Sequence, residues 1–197
     1  MMTSGDRRDA TALIDFWFSP PGSPERFRPH AQWFKADREF DEQLRRLFLP
    51  LQLRAAAGQC GGWDGEAEPC LALILLLDQL PRNLYRGSAD AFATDALARE
   101  TATKALQRGF DRSLPAVWRQ FIYLPFEHSE SLADQEHSLQ LFAALATHGD
   151  FAETFDYAKR HHAIVARFGR FPHRNRALGR PSTREEDAFL QEPNSSF

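Results

Sequence analysis

Apolar residues recur at spacings of three and four along most of this chain, and alternating apolar–polar runs are almost absent, so the pattern predicts helices and no sheet. Asp6 to Phe18 gathers Leu13, Ile14, Phe16, Trp17 and Phe18 before Pro20-Pro21-Gly22 stops it, and a loop rich in proline and charge follows to Pro29. Asp37 is placed to cap a helix carrying Phe40, Leu44, Leu47 and Phe48. Pro50 should break or kink that segment, which resumes through Leu51, Leu53 and Ala55–Ala57 to Gly58. After the turn cluster Gly61-Gly62-Trp63-Asp64-Gly65, the stretch from Cys70 to Leu80 is apolar on every face. It should be the most buried helix, ended by Pro81.

Further helices are expected from Ala91 to Arg108, stopped by Gly109, and from Leu114 to Leu124, ended by Pro125. Leu132 to His148 and Phe151 to Phe168 come next, the latter with Phe151, Phe155, Ala158, Val165 and Phe168 near heptad spacing. Thr183-Arg184-Glu185-Glu186 matches a capping box that opens a short helix to Leu190, and the tail 191–197 is expected to fray. That makes eight or nine helices on short connections: an all-α chain of antiparallel pairs, read as a single domain over 1–197.

Composition adds a core of large rings, since 17 Phe and four Trp occur among 197 residues of which 43% are hydrophobic. A net charge of −3 from 24 basic and 27 acidic residues argues against nucleic-acid or membrane partners, and the longest apolar run, Leu71 to Leu77, is far too short to span a bilayer. Cys60 and Cys70 form no CxxC or zinc-like spacing and read as reduced thiols, which fits a cytoplasmic location. No cofactor is expected, and the histidines form no HExxH or HxH pair that would hold a metal. His161 and His162 point about 100° apart on their helix. His162 falls on the stripe with Phe155, Ala158 and Val165, as a core histidine would.

Polar residues that helix-building does not need concentrate in three segments. In Leu77-Asp78-Gln79-Leu80-Pro81-Arg82-Asn83-Leu84-Tyr85-Arg86, a carboxylate ends the greasiest helix and must find a cation. Asp78 either staples Arg82 or Arg86 at a helix corner or orients an arginine toward an anionic ligand. In Phe126-Glu127-His128-Ser129-Glu130, an acid, a base and a hydroxyl follow one another. Neighbours in sequence rarely converge on one point, so capping of the next helix by Ser129 or Ser131 stands beside direct chemistry by Glu127 and His128. In Arg167-Phe168-Gly169-Arg170-Phe171-Pro172-His173-Arg174-Asn175-Arg176-Ala177-Leu178-Gly179-Arg180, five arginines occur in fourteen residues. They either bind an anion or neutralise Asp78, Glu127 and Glu130.

These three strings, with Phe16-Trp17-Phe18, Trp33-Phe34 and Leu178-Gly179-Arg180, resemble a bacterial family catalogued as domain of unknown function 924, over about Ile14 to Leu190. The resemblance implies a fold similar to the tetratricopeptide-like helical superfamily and brings no activity, cofactor or catalytic residue. The leading expectation is a pocket for a small anionic ligand lined by Asp78, Arg82, Asn83, Arg86, Glu130, Arg170, His173, Arg174 and Asn175, with Glu127 and His128 as acid and base if chemistry occurs. The rival is a structural or peptide-binding scaffold whose polar motifs form a buried ion network. Whether the chain is an enzyme, and its oligomeric state, are left open by the sequence.

Overall fold

The computed structural model describes residues 2–149, 151–193 and 195–196, and among these the chain is all-helical with no strand. The helices are α1 (Ser4–Phe18), α2 (Arg38–Ala56), α3 (Ala67–Ile74), α4 (Leu80–Leu84), α5 (Asp95–Gln107), α6 (Phe110–Ser113), α7 (Ala116–Glu127), α8 (Leu132–Ala146), α9 (Ala152–Phe168) and α10 (Arg184–Phe189). Among the described residues, no helix is long and apolar enough to cross a membrane. Two compact units result. The first comprises the residues up to Arg86 together with Asp90–Pro125, and the second comprises Gly87–Ala89 and the residues from Phe126 onward.

In the first unit α1 packs on α3, α3 on α5, and α2 on α4. Its core is aromatic, as the composition predicts. Phe18 stacks on Trp118 with ring centroids 4.5 Å apart, and Phe121 meets Trp17 edge-on at 5.7 Å. Two indole N–H groups find carbonyls, Trp33 donating to Trp17 O at 2.9 Å and Trp118 to Arg26 O at 3.1 Å. The second of these ties the proline-rich segment between α1 and α2 to the core. Arg26 adds an ion pair with Asp15 at 2.7 Å. The capping box Thr3–Asp6 starts α1 two residues before the predicted Asp6, and Asp37 caps α2 as expected. Pro50 lies on an exposed position inside α2 without ending it.

Pro81 does not stop the apolar segment either. The chain passes from α3 through one turn of π-helix, Leu75–Gln79, into α4, with Pro81 in its first turn. The reason is local: Pro81 has no N–H to offer the carbonyl of Leu77 four residues back. Inserting the wider turn lets the helix continue past the gap. The Leu77 carbonyl is then satisfied from α5's entry, where the buried Thr94 hydroxyl donates to it at 2.6 Å. Arg82 Nη1 donates to the next carbonyl, Asp78 O, at 2.7 Å.

The second unit is built on α8 and α9, which pack closely along their lengths and are joined by residues 147–151, of which 150 lies outside the described set. So short a connection makes them antiparallel neighbours. The buried face of α9 is Ala158, His161, Ile164 and Val165, so the core histidine is His161 and His162 is only half-buried. The prediction for His162 fails by one position: it lies within about 40° of Ala158 but about 160° from Ile164, whereas His161 lies on the Ala158 side that runs on through Ile164 and Val165. Gly169, at φ 68°, ends α9 in the left-handed conformation that a side chain would strain. Ile164, Val165 and Phe171 then form a small core with Phe168 and Phe189. Pro125 lies inside α7, which runs three residues further than predicted, to Glu127. The Thr183–Glu186 capping box opens α10 as expected. Of the tail, 191–193 are exposed and Ser195 Oγ donates to Leu190 O at 3.2 Å, while Asn194 and Phe197 lie outside the described residues.

Thr94→Val keeps the shape of this side chain but strands the Leu77 carbonyl in the core. Thermal melts should show a loss of about 1–2 kcal/mol, or about 3–6 °C, with Thr94→Ser close to wild type.

Candidate functional site

The π-turn decides the chemistry of the first segment. It places Asp78 fully buried, with Gln79 Nε2 donating to one carboxylate oxygen at 2.6 Å and Arg82 Nη1 lying 3.3 Å from the other. Arg82 also grips Asp95, the first residue of α5, with both terminal nitrogens at 2.9 and 3.1 Å. Burial opposes the guanidinium charge, but Asp78 and Asp95 outweigh it and hold the arginine above its ordinary pKa. Asn83 and Arg86 turn to the first turn of α2 instead. Asn83 Nδ2 donates to Asp41 at 2.7 Å, and Arg86 contacts both Asp41 oxygens at 2.6 and 2.9 Å. Four residues expected at a ligand thus fasten α4 to α2 and α5.

In the second unit Glu127 ends α7 almost wholly buried, with Oε1 3.1 Å from Nδ1 of His161. That nitrogen is also 2.9 Å from the carbonyl of Tyr157. Two acceptors facing it make Nδ1 the protonated nitrogen. Burial first, and then the neighbouring His128, push the pKa of His161 well below its ordinary value, against the pull of the Tyr157 carbonyl, so the ring is neutral. The rings of His128 and His161 lie 6.1 Å apart. Ser129, next in the string, bonds Asp134 at 2.6 Å rather than either histidine. Ser131 supplies the cap of α8. Glu127 and Ser129 of the Glu-His-Ser run thus turn to different partners, His161 and Asp134.

Most arginines of the third segment meet carboxylates. Arg180 contacts both oxygens of Glu130 at 2.7 and 2.9 Å, and Glu130 also accepts the Phe171 N–H at 2.8 Å. Burial works against the Glu130 charge, but these donors hold its pKa below the usual range. Arg170 contacts both oxygens of Glu186 at 2.6 and 2.8 Å. Its hydrogen bonds, ahead of the Thr183 N–H and Asn175, carry the Glu186 pKa down to about 2 despite burial. Asn175 bridges the two pairs, accepting from Arg180 Nε at 3.0 Å and donating to Glu186 at 3.4 Å as well as to Ser182 at 3.1 Å. Arg174 is buried with its guanidinium 4.4 Å over the Phe171 ring, and His173 lies half-buried with its ring 5.6 Å from the same ring.

Sequence reasoning singled out Arg170, Glu130 and Asn175 and offered Glu130 as an acid that the five arginines could neutralise, but it missed Glu186, Asp41 and Asp95 and put His162 rather than His161 in the core. Glu186 carries one signal, its place in the capping box. The reading in which the arginines neutralise internal acids names Glu130, and the structure assigns it to Arg180, fifty positions away. Among the described residues, no group of three His, Cys, Asp or Glu side chains could hold a metal ion. Cys60 and Cys70 are buried free thiols, and burial raises Cys70 to about 12, far from a nucleophile's range.

The model of the family described as "Bacterial protein of unknown function (DUF924)" matches residues 13–194, which hold all three polar segments. The chain belongs to this family. A solved structure, that of a protein of unknown function, ATU0120, from Agrobacterium tumefaciens, is 40% identical. It aligns with a TM-score of 0.83 over 94% of this chain and 98% of its own. No curated protein matches the chain. DUF924 membership thus covers the fold and all three polar strings and leaves their chemistry to be read from geometry.

For this DUF924 chain the sign of one pH effect follows. Glu186 is held near 2 in the folded state against an ordinary 4.5, so its contribution is complete above about pH 4.5 and fades as pH falls toward 2. Glu186→Gln should melt lower than wild type at pH 7, and the gap between the two should narrow through that acid window.

Proposed function

We propose that the chain works through its helical framework, as a scaffold for a peptide or protein partner, with the polar signatures serving as ion locks. The observation that carries this reading is that Arg82, Arg86, Arg170 and Arg180 each hold a carboxylate at two points, the geometry of a guanidinium committed within the fold. A ligand carboxylate or phosphate would have to displace Asp95, Asp41, Glu186 or Glu130 to use them. The locks sit at helix corners, where they fix α4 against α2 and α5 and fix the Phe171 loop against α10. Helical stacks commonly present such rigid surfaces to partners, which is support by analogy alone. Free buried thiols agree with a reducing, cytoplasmic setting.

A second reading, a small anionic ligand, draws on a different observation. His128, Arg174 and His173 all act to disfavour a proton on His161, so positive charge gathers around one buried ring. In that reading Arg174 and the two histidines hold a phosphate or carboxylate, and Glu127 is their counter-charge.

One pair of measurements separates the two. Arg170→Met should lower the melting temperature by about 6 °C or more, because Glu186 loses its cation. Calorimetric titration of the wild type with inorganic phosphate and citrate should give no saturable binding at millimolar levels. An unshifted melt for Arg170→Met, with saturable phosphate binding abolished by Arg174→Gln, overturns the scaffold reading in favour of the ligand.

A further inference from the structure

Two side-chain atoms on α8 break the rule that buried polar groups are bonded. Gln135 and Ser138 on α8 are fully buried, and among the described residues Oε1 of Gln135 and Oγ of Ser138 have no hydrogen-bond partner. The orientation of the Gln135 amide is not arbitrary. Its nitrogen donates to the carbonyls of Glu127 at 2.5 Å and Ser129 at 2.7 Å, and two carbonyls cannot face the amide oxygen. The oxygen is therefore an acceptor directed away from the α7–α8 connection. Ser138 lies three positions on, on the same face of α8.

A carboxamide oxygen only accepts, and a hydroxyl oxygen accepts as well as donates. A small group bearing two or more O–H or N–H bonds therefore satisfies both atoms.

We infer that Gln135 and Ser138 form an internal site in the second unit that holds a small hydrogen-bond donor, a water molecule or an ammonium ion. The site is distinct from the arginine–carboxylate locks and does not depend on the scaffold reading.

The decisive variant is Ser138→Ala, which removes only a hydroxyl and improves helix propensity. If the hydroxyl holds a bound donor, the variant melts about 2–4 °C below wild type, the shift for one lost buried hydrogen bond in a chain this long. An unchanged or raised melting temperature overturns the proposal, because an unbonded hydroxyl, or one turned back to its own helix, is lost without penalty. Melts in ammonium chloride and sodium chloride at equal ionic strength identify the occupant. Stabilisation by ammonium of wild type but not of Ser138→Ala points to the cation, and identical melts point to water. A high-resolution crystal structure with no ordered density within hydrogen-bond distance of both atoms also overturns the site.

Discussion

A single absent proton organises the first unit. Pro81 removes a backbone donor from the most apolar stretch of the chain, and the carbonyl it abandons belongs to the buried Leu77. The chain answers with a π-turn and with the hydroxyl of Thr94 on that carbonyl. The consequences spread outward. The wider turn carries Asp78 into full burial, and a buried carboxylate demands a cation, which Arg82 supplies. Arg82 in turn reaches Asp95 at the start of α5, so a backbone defect is converted into a tie between helices. Such π-turns often mark functional positions, and here the irregularity sits on one of the three family strings.

The second unit solves a comparable problem with charge. The segment after α9 has little regular structure, only the 3-10 turn Pro172–Arg174 before α10. What holds it is the alternation of Arg170 with Glu186, Arg180 with Glu130, and Asn175 between them. Glu186 serves both as the cap of α10 and as the anchor of Arg170, so the helix start and the loop are fixed by one carboxylate. The arginine-rich string, which in sequence invites an anion, is thus largely balanced by acids of the same unit. Around His161 the balance differs: a neutral buried ring sits among His128, His173 and Arg174, with Glu127 against it.

The helices were legible because period 3.6 is written in single residues, and caps such as Asp37 and Thr183 act within one turn. Pro81 and Pro125, expected to end helices, were misjudged in the same direction. Pro50, Pro81 and Pro125 all lie inside helices, because whether a missing N–H ends a helix depends on what else reaches the orphaned carbonyl. Thr94 does so at one of these, and it comes from another helix.

The sequence by itself determined the all-α class, the aromatic core and the three places where polar residues exceed the needs of helix-building. Only tertiary structure decided that Arg86 belongs to Asp41, Arg170 to Glu186 and Arg180 to Glu130, and that His161 rather than His162 faces inward. The reason is physical: periodicity and capping are short-range and leave a trace in neighbouring residues. A guanidinium has no preference among carboxylates until packing brings one within reach of its two N–H edges.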